Sequence, residues 1–175
     1  MILETEKTYL QEQADGAAPF STLQNAGEII EVTKENILAA AQIHAESWKE
    51  SHKSFCSKEF VELHTPERQR EYLQNEMQQG KELYMLIEDI PVGIVSVKGN
   101  LIENLYVLPD KQRMGYGSKL LKFAIEKCED EPVLWILSNN KRAENFYCKH
   151  GFTKSGNEKV LSEELSELEM RGAVL

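Results

Sequence analysis

The spacing of apolar residues changes along one continuous stretch near the middle of the chain. Leu101–Val107 is rich in leucine, β-branched and aromatic side chains, and the turn signal Pro109-Asp110 follows it. From Ser118 onward the apolar residues recur at a helical period, at Leu120, Leu121, Ala124, Ile125 and Cys128. The pattern predicts a strand, a tight turn and an amphipathic helix in direct succession.

The segments before this stretch predict two helices and three strands. Glu28–Val32 has a strand pattern, and Thr33 is a suitable N-cap for a helix with its apolar face at Ile37, Ala41, His44, Ala45 and Trp48. After a loop, Thr65-Pro66 predicts the start of a second helix, which ends near Gln79 at Gly80. Two further strands are expected on either side of residues 89–91, at Glu82–Glu88 and Val92–Lys98.

The segments after the central helix complete a mixed sheet. Val133–Leu137 is predicted to be a strand, and the helix that joins it to Leu101–Val107 makes the two strands parallel. A helix over Lys141–His150 should end at Gly151, and an antiparallel pair near residues 152–155 and 168–174 should close the chain. The fold class is α/β, a single-domain, mostly antiparallel sheet with helices on both faces.

The first 27 residues follow a different pattern. They are polar, and glycine and proline interrupt them at Gly16, Pro19 and Gly27. We expect an N-terminal extension over residues 1–27, with a short helix at Lys7–Gln13, before a domain over residues 28–175. The sequence does not indicate a function for this extension.

Composition excludes several classes of protein. The chain has 175 residues, 41% hydrophobic and 28% charged, which is ordinary for one soluble domain. No apolar run has the length of a membrane span, and the N-terminus lacks the order of a secretory signal. Cys56, Cys128 and Cys148 are widely spaced and suit a reducing compartment. We therefore expect a cytoplasmic protein without a membrane partner.

Charge is unevenly distributed. The net charge of −9 argues against nucleic acid as a partner. Residues 110–122 contain four basic residues and one acid, as do residues 141–154, so these two windows carry +6 and the remainder −15. The windows would attract an anionic cofactor, and the remainder would attract a cation.

The turn before the central helix has the chemistry of a phosphate site. It reads Gln112-Arg113-Met114-Gly115-Tyr116-Gly117, and its two glycines leave no Cβ to block a ligand. The first N–H groups of a helix lack intrahelical partners and lie at the positive end of its dipole. Taken alone, the turn is better interpreted as an ordinary strand-to-helix connection. It lacks the P-loop pattern and the third glycine of a dinucleotide fingerprint.

Two motifs together resemble a known family. Gln-x-x-Gly-x-Gly after a strand ending Leu-Tyr-Val-x-Pro resembles the acetyl-CoA-binding core of the GNAT superfamily of N-acetyltransferases. Residues 133–152 resemble its second signature, Asn-x-x-Ala-x-x-Phe-Tyr-x-x-x-Gly-Phe, at Asn140, Ala143, Phe146, Tyr147, Gly151 and Phe152. The order and the predicted elements of both motifs agree, so the chain from about residue 28 is identified as a member.

The resemblance implies a cofactor, acetyl-CoA, and a place for it. In the family the two parallel strands splay apart near a bulge, and the pantetheine arm fills the gap. Main-chain groups of Leu105, Tyr106 and Val107 would then hold the pantetheine and the acetyl carbonyl. The pyrophosphate would lie on Gln112, Arg113, Met114, Gly115, Tyr116, Gly117 and Ser118. Asn140 would contact the pantetheine through its side chain, although helix N-capping is an equally good role for it.

Acetyl transfer to an amine needs a base and an acid. The amine must be neutral to attack, although its free pKa is about 10.4. By resemblance, Tyr147 is the acid that protonates the leaving sulfur, and it can also pack against Phe146. Many family members carry a glutamate base where this chain has Leu101, so Glu103, one strand period further, is the candidate base here. A solvated surface carboxylate is an equally good interpretation of Glu103.

The first predicted helix supplies candidates for acceptor binding. His44 and Trp48 lie in a segment that resembles the first GNAT helix, where a tryptophan lies near the acceptor cleft, as core, pocket wall or ligand. His52, Cys56 and His64 do not have zinc-site spacing, and we interpret them as scattered loop residues without a metal.

Two functions remain compatible with the sequence. The first is acetyl-CoA-dependent N-acetyltransfer to a small-molecule or peptide amine, with cationic acceptors favoured. The second is a GNAT-fold acetyl-CoA sensor or interaction domain without turnover, which the absence of a glutamate at Leu101 would favour. Both are compatible with a monomer or a homodimer.

Overall fold

A single seven-stranded sheet organises the protein. The computed structural model describes residues 27–54, 56–162 and 165–173. Their strands are β1 (Glu28–Glu31), β2 (Glu82–Ile87), β3 (Pro91–Lys98), β4 (Leu101–Val107), β5 (Val133–Leu137), β6 (Thr153–Val160) and β7 (Ser166–Arg171). Their helices are α1 (Ile37–His52), α2 (Lys58–Glu62), α3 (Pro66–Gln78), α4 (Tyr116–Lys127) and α5 (Lys141–Lys149), with a short 3₁₀ turn at Pro109–Lys111.

The strand order is β1-β2-β3-β4-β5-β7-β6. Every neighbouring pair is antiparallel except β4 and β5, which are parallel as the sequence predicts. The two parallel strands pair only at Leu101 and Val133, so they separate toward their carboxyl ends. This separation leaves a gap in the sheet between β4 and β5.

The helices cover the two faces of the sheet, which confirms the predicted architecture. α4 and α5 pack on one face, where Leu120, Leu121 and Ala124 are fully buried against strand residues such as Ile102 and Leu134. α1 and α3 pack on the other, in a second core cluster that contains Ile37, Ile43 and Leu73. Side chains of β4 and β5 that leave the first core cluster therefore point toward α1 and α3.

Some predicted elements need correction. Thr33 is not the N-cap of α1, because Asn36 Oδ1 accepts the Thr33 N–H at 2.8 Å and the helix begins only at Ile37. The segment expected to be a loop before Thr65 contains α2, with Ser57 as its N-cap. β6 and β7 extend further toward the hairpin between them than predicted. The helix expected at Lys7–Gln13 lies outside the described residues.

Candidate active site

The opening between β4 and β5 continues into a cleft of about 1690 Å³. Strand residues on both sides of the gap line it, including Leu105, Tyr106, Val107 and Trp135. At one end the cleft reaches the turn before α4 and the start of α5, and at the other end it reaches α1 and the residues around α2. Beyond Leu101 no further pairing of β4 with β5 is described, so main-chain groups of β4 are left facing the gap.

A bulge in β4 changes which side chains face α1 and α3. Ile94 on β3 pairs with Tyr106 and Ser96 with Glu103, so one residue of β3 lies opposite two of β4, Asn104 and Leu105. Asn104 has φ +50°, a left-handed conformation that asparagine tolerates better than most residues. As a result, Glu103, Asn104 and Tyr106 all contact residues on the α1 and α3 side.

The side chain of Asn104 is fixed by two hydrogen bonds. Its Nδ2 donates to Ser96 Oγ at 3.1 Å, and its Oδ1 lies 3.3 Å from His44 Nε2. Because Asn104 offers an acceptor there, the neutral His44 ring must carry its proton on Nε2. This chain of contacts joins β3, the bulge and α1 immediately below the cleft.

His44 is a buried, uncharged histidine. Only 4% of its surface is exposed, and burial lowers its pKa from 6.5 to about 4 despite the favourable contact with Asn104. Its ring packs against Tyr106 at 4.8 Å and Tyr72 at 5.5 Å between centroids. Its Nδ1 has no partner among the described residues. The structure places this predicted acceptor residue at the floor of the cleft rather than at its entrance.

The backbone before α4 forms an open anion cradle. Arg113 has φ +69° and Gly115 has φ +90°, so the backbone adopts a left-handed conformation at two positions just before the helix. α2, α3 and α5 each begin with a side-chain cap, whereas no side chain caps α1 or α4. The first hydrogen bond of α4 runs from the Lys119 N–H to the Gly115 carbonyl. The preceding N–H groups are therefore available to a ligand.

Side-chain contacts hold this cradle against α5. Gln112 donates to the Val107 carbonyl at 3.0 Å and accepts from Arg142. Ser118 Oγ lies 2.9 Å from His150 Nε2. A Cβ added at Gly117 would lie 3.4 Å from the Phe146 ring, so this glycine is where α5 packs against α4. Gln112, Arg113, Gly115, Gly117 and Ser118 line the cleft, whereas the Met114 and Tyr116 side chains do not.

Tyr147 lines the cleft from α5. Its ring packs between Phe146 and Phe152, at 5.1 and 5.8 Å between centroids, so the expected packing role is present. Burial raises the pKa of its hydroxyl, which therefore stays protonated. In the described part of the chain the hydroxyl has no hydrogen-bond partner, so its proton is available to a ligand in the cleft.

Asn140 begins α5 as its N-cap. Its Oδ1 accepts the Ala143 N–H at 3.0 Å, which confirms the capping role. Its Nδ2 has no partner within the described ranges and lies at the lining of the cleft. The same side chain can therefore cap the helix and donate to a ligand.

Glu103 is part of a charged group and is not an isolated surface carboxylate. It forms an ion pair with Lys81, which also pairs with Glu76. Burial alone would lower the pKa of Lys81, but the hydrogen bonds that Lys81 donates to Glu103 and Glu76 raise it above its ordinary value. Glu103 also lines the cleft beside Asn104, so its carboxylate faces the cleft while it pairs with Lys81.

Trp48 is the centre of an aromatic stack at the end of the cleft that reaches α1. His52 and His64 lie parallel to the two faces of its indole, at 3.9 and 3.3 Å between centroids. Burial lowers the pKa of His52. The interpretation of these histidines as scattered is wrong, because α1 and the turn after α2 bring both onto one ring. Trp48 thus forms part of the cleft wall.

Asn104 and Arg142 were missed as site residues. An asparagine among apolar strand residues is a signal for a left-handed bulge, but only the partners on β3 and α1 give it a role. Arg142 lies in a basic window, and its contact with Gln112 depends on the packing of α5 against the cradle.

We expect Asn104→Ala to impair the site more than Asn104→Gly. Alanine is strained at φ +50° by about 1–2 kcal/mol and loses both side-chain hydrogen bonds, whereas glycine loses only the hydrogen bonds. The free energy of unfolding and kcat/KM should both fall in the order wild type, glycine, alanine. Urea unfolding and steady-state kinetics measure them. Equal behaviour of the two variants would show that the backbone conformation of the bulge is unimportant.

The chain matches one family model over most of its length. The model of the acetyltransferase (GNAT) domain matches residues 29–171. Among curated protein sequences, none matches. The described residues contain no helix with the length and apolar character needed to cross a bilayer.

Solved structures share the fold. The PaiA N-acetyltransferase of Thermoplasma acidophilum, solved in complex with coenzyme A, is 23% identical, with 81% of this chain and 96% of that one covered and a TM-score of 0.64. The ribosomal-protein-S18-alanine N-acetyltransferase of Escherichia coli is 16% identical, with 85% and 94% covered and a TM-score of 0.63. A GNAT-family acetyltransferase of Bacillus cereus is 17% identical, with 85% and 97% covered and a TM-score of 0.63.

Proposed function

The chain belongs to the GNAT family of acetyltransferases, and from this premise we propose that it transfers an acetyl group from acetyl-CoA to a primary amine by direct attack on the thioester. The observation that supports this best is the continuity of the cleft. The gap between β4 and β5 leads without a break to the uncapped start of α4. A ligand with an extended amide arm and a pyrophosphate fits this cleft, because the arm can bond to the main chain in the gap and the pyrophosphate to the N–H groups at the start of α4.

GNAT domains use acetyl-CoA, and the residues present fit it. We assign the pantetheine arm to main-chain groups of Leu105–Val107 and to Asn140 Nδ2. We assign the pyrophosphate to the N–H groups at the start of α4, with Arg113 and Arg142 supplying positive charge. At the end of the cleft near the start of α4, the lining includes both arginines, Lys141 and Lys149. The acceptor half is lined by Glu50 and Glu103.

The chain's own groups would perform the proton transfers. Acetyl-CoA supplies an activated thioester. We assign polarisation of the acetyl carbonyl to main-chain N–H groups beside the bulge, which His44, Ser96 and Asn104 hold in position. We assign acceptance of the amine proton, through water, to the Glu103 carboxylate, which pairs with Lys81 and lines the acceptor half of the cleft. Tyr147 holds the proton that the leaving thiolate takes.

We propose that the acceptor is cationic, and we expect this preference to weaken with salt. Carboxylates in the acceptor half of the cleft raise the local concentration of cations, and exposed charges are screened beyond about 8 Å at 0.15 M salt. The measurement is kcat/KM for matched cationic and anionic primary amines, followed by release of free thiol from acetyl-CoA at low and high salt. Faster turnover of the anionic amine, or a cationic preference indifferent to salt, would contradict the assignment.

A further inference from the structure

A lysine from the edge of the sheet reaches back into the cleft. Lys159 lies on β6, two strands from β5, yet its Nζ lies 3.6 Å from the centroid of the Trp135 indole on β5. Adjacent strands are about 4.8 Å apart, so the side chain lies across β7 on an exposed face of the sheet. Both residues line the cleft. The structure therefore holds an ammonium group on an indole face inside the proposed active site.

The register places this indole beside the gap. Leu101 pairs with Val133, so Trp135, two residues further along β5, is level with Glu103, two residues further along β4. Leu134 and Ile136 point into the core under α4 and α5, and alternation turns Trp135 to the opposite face, where Glu103 also lies. Trp135 and Glu103 thus flank the acceptor side of the gap from its two strands.

A second partner for Lys159 lies on the strand between. Glu167 on β7 is its cross-strand neighbour and also lines the cleft. Within the described residues Glu167 forms no ion pair, whereas the next carboxylate along β7, Glu169, is held by Arg171 and Asn157. If the Lys159 ammonium leaves the indole, it can therefore pair with the Glu167 carboxylate on the adjacent strand β7.

Trp135 is the better placed of the two tryptophans to bind a ligand. His52 and His64 cover both faces of Trp48, so no ligand can stack there without separating three rings. The face of Trp135 is covered by one exposed, flexible side chain. Indole faces attract cations, and the cation now on this one belongs to the protein itself.

We propose that the Trp135 face is a subsite for a second, positively charged nitrogen of the acceptor, and that Lys159 occupies it until the acceptor binds. On binding, the Lys159 ammonium moves to Glu167. The proposal rests on the proposed function and deepens it. The attacking nitrogen must be neutral, so the acceptor class is a primary amine that carries a separate protonated or quaternary nitrogen.

The test uses choline and its uncharged isostere, in which a tert-butyl group replaces the trimethylammonium, on the full chain without acetyl-CoA. The chain has two tryptophans, so heteronuclear NMR can follow the Trp135 indole N–H with Trp48 as reference. We expect choline to shift the Trp135 signal saturably and the isostere to leave it unchanged. Equal shifts with both compounds would overturn the proposal.

Variants of the occupant make the test specific. Lys159→Met should tighten choline binding by about 3- to 10-fold, because in the wild type Lys159 occupies the subsite most of the time and in the variant it does not. Lys159→Arg keeps a cation and should leave the affinity near the wild-type value, and Glu167→Gln should weaken it. Lys159 is exposed, so these variants should fold, which circular dichroism checks. An unchanged affinity for choline in Lys159→Met would refute the claim that Lys159 occupies the subsite.

Failure of this proposal is distinguishable from failure of the proposed function. Choline binding that behaves as expected in a protein that never transfers acetyl groups would keep the subsite and refute the activity. Acetyl transfer without any response of Trp135 to choline would keep the activity and refute the subsite.

Discussion

Gly115→Glu should weaken coenzyme A binding by about 100-fold or more. Two like charges about 4 Å apart repel by about 4 kcal/mol at an effective dielectric constant of 20, and each 1.4 kcal/mol is a factor of ten in Kd. A Cβ at Gly115 would meet nothing within 4 Å, so the new carboxylate would extend freely into the space before α4. Titration calorimetry with coenzyme A measures the loss.

Backbone strain must be separated from charge in this experiment. Gly115 has φ +90°, and any other residue there is strained. Gly80 is a matched control because it has φ +86°, has equally open surroundings and ends α3 away from the cradle. Gly80→Glu should lose similar stability and keep its coenzyme A affinity. If Gly115→Glu folds and binds normally, this turn is not the phosphate site.

Gly117→Glu should abolish binding for an additional reason. Its Cβ would lie against Phe146, so the carboxylate has less room to turn away and α5 is pushed from the cradle. Gly117→Ala adds only the Cβ, and we expect it to retain most of the affinity.

Tyr147→Phe should lower kcat by about 10- to 1000-fold with little change in coenzyme A affinity. The substitution keeps the ring between Phe146 and Phe152 and removes only the hydroxyl, which has no hydrogen-bond partner in the described part of the chain. The free energy of unfolding should therefore change little. Full kcat in the variant would reduce Tyr147 to a packing residue.

Two measurements separate the acid from the base. Tyr147→Phe should lower the pH profile of kcat/KM without moving its acidic limb, because burial keeps the phenol protonated throughout the working range. Glu103→Gln removes the carboxylate and should lower kcat if Glu103 accepts the amine proton. Wild-type kcat in Glu103→Gln would assign the base to water or to another group.

The sequence was informative where local patterns determine the structure. The composition of Leu101–Val107 predicted the strand, Gly115 and Gly117 the turn, and the period from Leu120 the helix, because each feature acts within a few residues. Asn140 was predicted as an N-cap for the same reason, and the cap is present. The family model confirms the family that the two motifs indicated, and the solved structures share its fold.

The remainder of the site depends on contacts between distant segments. Asn104 acquires its role from Ser96 and His44, Trp48 is enclosed by His64 from beyond α2, and Lys159 reaches Trp135 across β7. α2 has only five residues, too few to show a helical period. Thr33 and Asn36, three positions apart, are both residue types that cap helices, and the Asn36 side chain closes the turn by bonding to the main chain of Glu31 and Thr33.

The most direct test of the account is product formation. The protein is incubated with acetyl-CoA and a cationic primary amine, while free thiol and the N-acetylated amine are quantified together, by colorimetry and mass spectrometry. We predict that thiol and acetylated amine appear in equal amounts with the wild type and with Gly80→Glu, and that neither appears with Gly115→Glu. A folded protein that binds coenzyme A but forms no acetylated amine from any member of an amine panel would contradict the account.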